Sequence, residues 1–192
     1  MTESIRSFAS LESLVEAVRE RVPLDGVVIH ECDLTGVQLR GLSLRRTVWQ
    51  GVRLDSANLA GADLTGARWV DVQADGAILR EAVFEDAALF SCSLRNADLA
   101  LCRIERSQII DSDFSSSLLQ GASLRGVSVQ GGSFERARLD AARIEDSDWS
   151  LTKAAGLVLS RARILGSEFR ACGLEGADFR ETLIEKSSLS RC

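Results

Sequence analysis

The chain has 192 residues, 45% of them hydrophobic and 27% charged, a balance typical of a domain that folds around its own core. A formal net charge of −5 argues against direct binding of nucleic acid, because such binding uses basic patches that neutralise phosphates. There is no apolar run long enough to cross a bilayer and no basic N-terminus followed by a hydrophobic stretch, so we expect a cytoplasmic protein without a membrane partner.

The first 22 residues have the period of a helix. Apolar residues recur there on one helical face, at Leu11, Leu14, Val15, Val18 and Val22. Ser10 can cap such a helix, and Pro23 ends it. The spacing predicts an amphipathic helix over residues 11–21, in an N-terminal segment of residues 1–22 that covers the open end of the following domain. A partner that binds this apolar stripe is the alternative.

From Leu24 onward an apolar residue, large except at Ala74 and Ala154, recurs every five positions as far as Leu189, and the register never slips. Two residues before each of these lies a second column of small or uncharged residues, such as Ala57, Ala62 and Ala67. All 24 acidic and 20 basic side chains from residue 23 onward fall in the other three columns. Because unpaired charges are costly to bury, the two uncharged columns are expected to point inward.

The glycines follow the same period. Thirteen of the fifteen lie two residues after one of these central apolar positions, as Gly36 and Gly41 do. Glycine adopts the backbone angles of a sharp corner without steric cost. A period of five fits neither a helix nor an isolated strand, so each repeat is predicted to be a short extended piece followed by a turn.

Several of these repeats resemble the A(D/N)LXX consensus of pentapeptide-repeat proteins, among them residues 57–61 (ANLAG), 62–66 (ADLTG) and 97–99 (ADL). The resemblance covers about residues 24–192. It implies an all-β solenoid over residues 23–192, a right-handed quadrilateral β-helix of about eight coils with a short N-terminal α-helical cap. Four pentapeptides would then make one coil of twenty residues, and the resemblance also implies a bacterial source.

The residues offer little for catalysis, so no catalytic, cofactor or metal site is predicted. His30 is the single histidine and has no second histidine beside it, whereas triad chemistry and metal binding both need further groups. The five cysteines all fall in the small inward column, which favours buried packing residues. Glu85 and Asp86 could act as a carboxylate pair only inside a cleft, which a convex rod does not offer.

One of the four faces implied by a twenty-residue coil differs from the others in its outward residues. It carries apolar side chains just before or just after the central residue, at Val28, Val48, Ala88, Val70, Phe90 and Ile110. The last three are twenty residues apart and should stack on successive coils. An exposed apolar patch of this kind usually marks an interaction site, so Val28, Val48, Val70, Phe90 and Ile110 are predicted to bind a partner. Scattered surface hydrophobes are the alternative interpretation.

The C-terminal end is predicted to be uncovered, because the repeats continue to the last coil. Ile184 and Leu189 would be presented there with unpaired strand edges, which predicts an isologous homodimer through this end.

These observations favour a non-enzymatic protein-binding or scaffold module without a cofactor. The resemblance adds two alternatives: a DNA mimic that binds and protects bacterial topoisomerases such as gyrase, and an accessory protein of a bacterial secretion or toxin system. Mimicry needs negative potential along the whole rod. Residues 23–90 carry 10 acidic and 6 basic side chains, but residues 91–192 carry 14 of each.

Overall fold

Residues 7–192 are described by a computed structural model. From residue 24 the chain winds into a four-sided parallel β-solenoid, so the predicted all-β solenoid with one short N-terminal helix is confirmed. It has about nine turns rather than about eight. The difference arises because the repeats begin and end partway round a turn, so that two adjacent sides are crossed nine times and the other two are crossed eight times.

Two sides of the solenoid form regular parallel sheets. Face A is the ten-stranded sheet of β1 (Ser7–Phe8), β2 (Val28–His30), β3 (Val48–Gln50), β4 (Arg68–Val70), β6 (Ala88–Phe90), β8 (Gln108–Ile110), β10 (Ser128–Gln130), β12 (Asp148–Ser150), β14 (Glu168–Arg170) and β16 (Ser188–Ser190). Face D is the six-stranded sheet of β5 (Val83–Glu85), β7 (Arg103–Glu105), β9 (Ser123–Arg125), β11 (Arg143–Glu145), β13 (Arg163–Leu165) and β15 (Leu183–Glu185).

The other two sides are held by single bridges. Face B begins with the bridge from Asp33 to Arg53, and face C with the bridge from Gln38 to Asn58. These bridges join residues twenty apart, as do the strand pairs from β2 onward, for example Val28 with Val48. The twenty-residue coil that the resemblance implied is therefore present throughout.

Every corner of the solenoid has left-handed backbone geometry. From Gly26 to Arg191, each position two residues after a central apolar residue has a φ between 47° and 71°. Thirteen of these corners are glycines, and 21 are residues for which this conformation is less favourable. The fold therefore imposes the corner even where the sequence does not supply glycine.

The interior is filled by the two inward columns. The central residues are buried from Leu24 to Phe169, and aromatic side chains stack along the axis, as Phe114 and Phe134 do at 4.7 Å between ring centroids. All seven buried polar residues lie in the small column: Thr47, Ser107, Ser112, Ser117, Ser147, Thr152 and Ser167. The predicted inward orientation of both columns is thus confirmed along most of the rod.

The N-terminal end is covered by α1 (Leu11–Arg19). Ser10 is its N-cap, and the hydroxyl oxygen of Ser10 accepts a hydrogen bond from the Ser13 N–H at 3.2 Å. The helix ends two residues earlier than predicted, since Arg21 turns left-handed with φ 56° and the Val22 N–H donates to the Ala17 carbonyl. Pro23 therefore follows a helix that has already ended.

A two-residue strand that the sequence did not predict lies beside this helix. β1 pairs in parallel with β2, which places Phe8 against Ile29. Phe8 packs against the core at the first turn. Together with Leu14 of α1, it covers the apolar end that would otherwise be open.

Candidate interaction surfaces

The apolar residues predicted for partner binding all lie on face A. Val28 and Val48 are register partners in the column before the central residues. Val70 pairs with Phe90, and Phe90 pairs with Ile110, in the column after them. The predicted stacking of the last three on successive coils is confirmed. The apolar row of face A therefore has two parts. The first part, Val28 and Val48, precedes the central residues of β2 and β3, and the second part, Val70, Phe90 and Ile110, follows those of β4, β6 and β8.

These side chains are half-buried, whereas the sequence interpretation expected them to be exposed. The first reason is their spacing, because neighbours one strand apart cover each other's flanks. The second is Arg68, whose guanidinium carbon lies 5.2 Å from the centroid of the Phe90 ring. A cation above an aromatic face is held by the ring quadrupole, so Arg68 covers part of the row.

The part of face A around this row has few charges. From β2 to β10, Arg68 is the single Asp, Glu, Lys or Arg side chain within the strands of this face. Over the same turns face D is densely ion-paired, with Arg106 contacting Asp86 at 2.8 Å and Glu85 at 3.2 Å. Face A itself has an ion pair only further along, where Arg170 contacts Asp148 at 2.5 Å. The apolar row therefore lies in the least charged region of the strands.

The second candidate surface is the C-terminal end. Ile184 and Leu189 are 40% and 41% exposed, whereas the central residues from Leu24 to Phe169 are buried. β15 and β16 are the last strands of their sheets and have no neighbour on their outer edge in the described chain. The expected uncovered end is thus present in the structure.

Sequence reasoning missed two leucines that are exposed at corners of the solenoid. Leu101 is 57% exposed and Leu151 is 64% exposed, and both occupy left-handed corners. The signal was present in the sequence, since both stand in the column that holds most of the glycines. They lie on different corners of the rod and do not extend the row on face A.

The residues considered for catalysis or metal binding do not lie together in one site. His30 is half-buried at the start of face A, and Glu85 and Asp86 are held in ion pairs with Arg106. Between residues 7 and 192, no three or more His, Cys, Asp or Glu side chains are grouped so that they could hold a metal ion. In the same part of the chain, no helix is both long and apolar enough to cross a membrane.

The cysteines are buried with one exception. Burial raises the pKa of Cys92 to about 11 and that of Cys102 to about 12, so both thiols stay protonated at neutral pH. Cys32 and Cys172 are also buried. Cys192 is exposed, so the interpretation of all five as buried packing residues was wrong for this one. No further turn covers it in the described chain.

Comparisons with known proteins agree with this architecture. A family model described as pentapeptide repeats matches residues 32–68 and 70–106, in eight copies. No curated protein sequence matches the chain.

Three solved structures align along most of the chain. HetL, a pentapeptide repeat protein involved in heterocyst differentiation regulation from the cyanobacterium Nostoc sp. strain PCC 7120, is 17% identical, with 94% of this chain and 95% of HetL covered and a TM-score of 0.36. Full-length QnrB1, a plasmid-mediated fluoroquinolone resistance protein, is 16% identical, with 96% and 89% covered and a TM-score of 0.46. Rfr23, from the cyanobacterium Cyanothece 51142, is 16% identical, with 93% of each chain covered and a TM-score of 0.26.

The family model matches in the N-terminal half, and the same five-residue register continues without interruption through the remaining turns. The match to pentapeptide repeats therefore covers residues 32–68 and 70–106 of this chain.

Proposed function

We propose that this protein is a non-enzymatic protein-binding module that docks a partner on the apolar row of face A. The observation that carries the proposal is the in-register stack of Val70, Phe90 and Ile110. Pentapeptide-repeat proteins are generally structural or interaction modules rather than enzymes, which is consistent with this role.

The physical argument rests on apolar area and on the scarcity of charge. A partner that covers the row removes half-exposed apolar side chains from water, and each square ångström contributes about 25 cal/mol. Apart from Arg68, it does not have to desolvate charged groups in the strands of face A from β2 to β10. The Phe90 ring is the expected anchor, because buried aromatic side chains carry much of the binding energy at interfaces.

The test compares affinity capture from native cytosol by the wild type and by the double variant Phe90→Asp with Ile110→Asp. We expect the double variant to lose the specific partner, because two carboxylates would have to be buried in the contact. Leu101→Asp with Leu151→Asp is the matched control, since it places the same charges on exposed apolar positions off face A. This control should retain the partner.

Circular dichroism and thermal melting decide whether the double variant is folded. A folded double variant that captures the same proteins as the wild type would contradict the proposal. If it unfolds while the control does not, the row is structural rather than a docking surface.

The charge distribution favours protein binding over mimicry of duplex DNA. Residues 91–192 are neutral overall, and many arginines there are paired with carboxylates, for example Arg125 with Glu145 at 2.8 Å. The negative potential is therefore not sustained along the rod. A gyrase supercoiling assay with micromolar protein provides the test: we expect no inhibition and no protection, and a clear effect would favour the mimic.

We also propose that two copies associate through their C-terminal ends as an isologous homodimer. Support comes from the exposed Ile184 and Leu189 and from the free edges of β15 and β16. Light scattering at micromolar concentration should give twice the monomer mass for the wild type. Ile184→Asp with Leu189→Asp should give a monomer, whereas the double variant of Phe90 and Ile110 should stay dimeric. A monomeric wild type would exclude this assembly.

A further inference from the structure

One inward column contains four of the five cysteines. The column lies at the corner between faces A and B, and its members include Cys32, Cys92, Cys172 and Cys192. Cys172 and Cys192 are twenty residues apart and so occupy successive turns. The other cysteines of the column have no cysteine one turn away, since Val72 and Ser112 are the neighbours of Cys92.

The two thiols are stacked in register. Arg170 and Ser190 are Cα partners of β14 and β16, and the Ala171 N–H continues the ladder with a 2.9 Å hydrogen bond to the Ser190 carbonyl. Cys172 and Cys192 follow two residues after that pair. Adjacent strands lie about 4.8 Å apart, which is inside the Cα–Cα range of about 4.4–6.8 Å for disulfides.

Their side chains point in the same direction. The Cys172 Sγ lies 3.5 Å from the Trp149 carbonyl oxygen, and the Cys192 Sγ lies 3.4 Å from the equivalent carbonyl oxygen of Phe169. Burial raises the pKa of Cys172, and contact with the Cys192 thiol raises it further. The two sulfur atoms are therefore neighbours.

The two thiols differ in access to solvent. Cys172 is buried, whereas Cys192 is exposed at the end of the rod. An oxidant in solution meets Cys192 first, and the product of that encounter lies beside a second thiol that solvent does not reach. This is the arrangement of an attacking and a resolving cysteine.

We propose that Cys172 and Cys192 form a dithiol that hydrogen peroxide oxidises to an intramolecular disulfide. The Cys192 thiolate attacks one peroxide oxygen, the O–O bond breaks, and hydroxide leaves, which makes a sulfenic acid on Cys192. The Cys172 sulfur then attacks the Cys192 sulfur, the S–O bond breaks, and the hydroxyl departs as water with the Cys172 proton. Two thiols are oxidised and one peroxide is reduced to two molecules of water.

The disulfide would fix the least packed part of the solenoid. It closes the turn from residue 173 to residue 191, in which Leu174 and Phe179 are only partly buried and Ile184 is exposed. A cross-link around this turn removes open conformations in which the last coil detaches. Oxidation would thus convert a fraying end into a fixed one, and this holds for the monomer whether or not the proposed dimer forms.

The test uses the wild-type 192-residue chain, diluted below micromolar concentration and treated with an equivalent of hydrogen peroxide. After alkylation of free thiols, cleavage on the C-terminal side of glutamate releases residues 169–175 and residues 186–192, each with one cysteine. We expect the two peptides to be linked, with the loss of two hydrogens and release by a reductant. Cys92→Ser, the matched control from the same column, should form the link equally well.

Two products would overturn the proposal. One is a link between two copies of residues 186–192, which would mean that Cys192 pairs between molecules. The other is sulfinic acid on Cys192 while Cys172 remains alkylatable after unfolding. Trypsin cleavage after Arg180 and Lys186 provides a second readout, and we expect it to be several-fold slower in the oxidised protein. Equal cleavage rates would show that the disulfide does not fix the last turn.

Discussion

Single residues of the core differ in how completely their polar atoms are paired. Trp49 and Trp69 lie one turn apart on face A, fully buried, with ring centroids 6.0 Å apart. The Trp49 Nε1–H donates to the Thr47 hydroxyl oxygen at 2.8 Å. The Trp69 Nε1 atom has no partner, because the equivalent position two residues earlier is Ala67. One indole therefore contributes a hydrogen bond and the other carries a desolvation cost.

This difference predicts unequal effects of the same substitution. Trp49→Phe should lower the free energy of unfolding by about 1–2 kcal/mol more than Trp69→Phe does. Only Trp49→Phe loses a hydrogen bond, whereas Trp69→Phe removes a buried donor that has no partner. Both lose comparable apolar volume, so each serves as the control of the other. Chemical denaturation followed by circular dichroism measures the difference. Equal losses would mean that the Trp69 indole has a polar partner such as a buried water.

Much at this scale could be predicted from the sequence, but the environment of individual surface residues could not. The inward orientation of each central residue followed from a period that no charge interrupts. The half-buried state of Phe90 did not follow, because it depends on where the flexible Arg68 side chain lies. The exposure of Leu101 could have been predicted from its position in the glycine column.

At the scale of elements, the solenoid uses two kinds of corner. In the first kind a backbone hydrogen bond spans the corner, for example from the Ser117 N–H to the Phe114 carbonyl at 3.1 Å. In the second kind a serine hydroxyl from the next turn is the acceptor: the Val127 N–H donates to the Ser147 Oγ at 3.1 Å. This hydroxyl has two carbonyl acceptors within reach, Glu145 at 2.8 Å and Leu124 at 3.1 Å. Serine at such a position satisfies a buried N–H group that the corner itself leaves open.

The two kinds of corner respond differently to loss of a serine. Ser147→Ala should lower stability by about 1–3 kcal/mol, because the buried Val127 N–H loses its acceptor. Ser117→Ala is the matched control. Its hydroxyl only adds a second donor to a carbonyl that the backbone already satisfies, so a loss below about 1 kcal/mol is expected. Thermal or chemical unfolding of both variants gives the comparison, and equal losses would contradict the distinction.

The elements also show where sequence patterns stop being sufficient. The repeats and α1 have periods that persist over several residues, and both were predicted. β1 is two residues long and lies outside the register, so only its pairing with β2 in three dimensions defines it. The end of α1 depends on a left-handed arginine at position 21, which no preference of that residue type suggests.

For the whole molecule, the asymmetry between its two ends is the main feature. At the N-terminal end Leu24 and Ile29 are buried beneath α1 and β1. At the C-terminal end Leu189 is exposed and β16 has no outer neighbour in the described chain. Repeat proteins are stabilised by contacts between neighbouring units, so a turn with one neighbour opens more easily than a turn with two.

Hydrogen exchange in the 192-residue chain should therefore be uneven along the rod. At low concentration we expect the fastest amide exchange among the turns in residues 173–190, increasing protection toward the middle, and substantial protection in the first turn beneath α1. Leu14→Asp, which places a charge where the cap is buried, should speed exchange in the first turn and leave the last turn unchanged. Raising the concentration should slow exchange in residues 173–190 alone if the ends associate. Strong protection of that last turn at low concentration would show that its exposed core residues do not make it unstable, and would contradict the fraying end that the disulfide is proposed to fix.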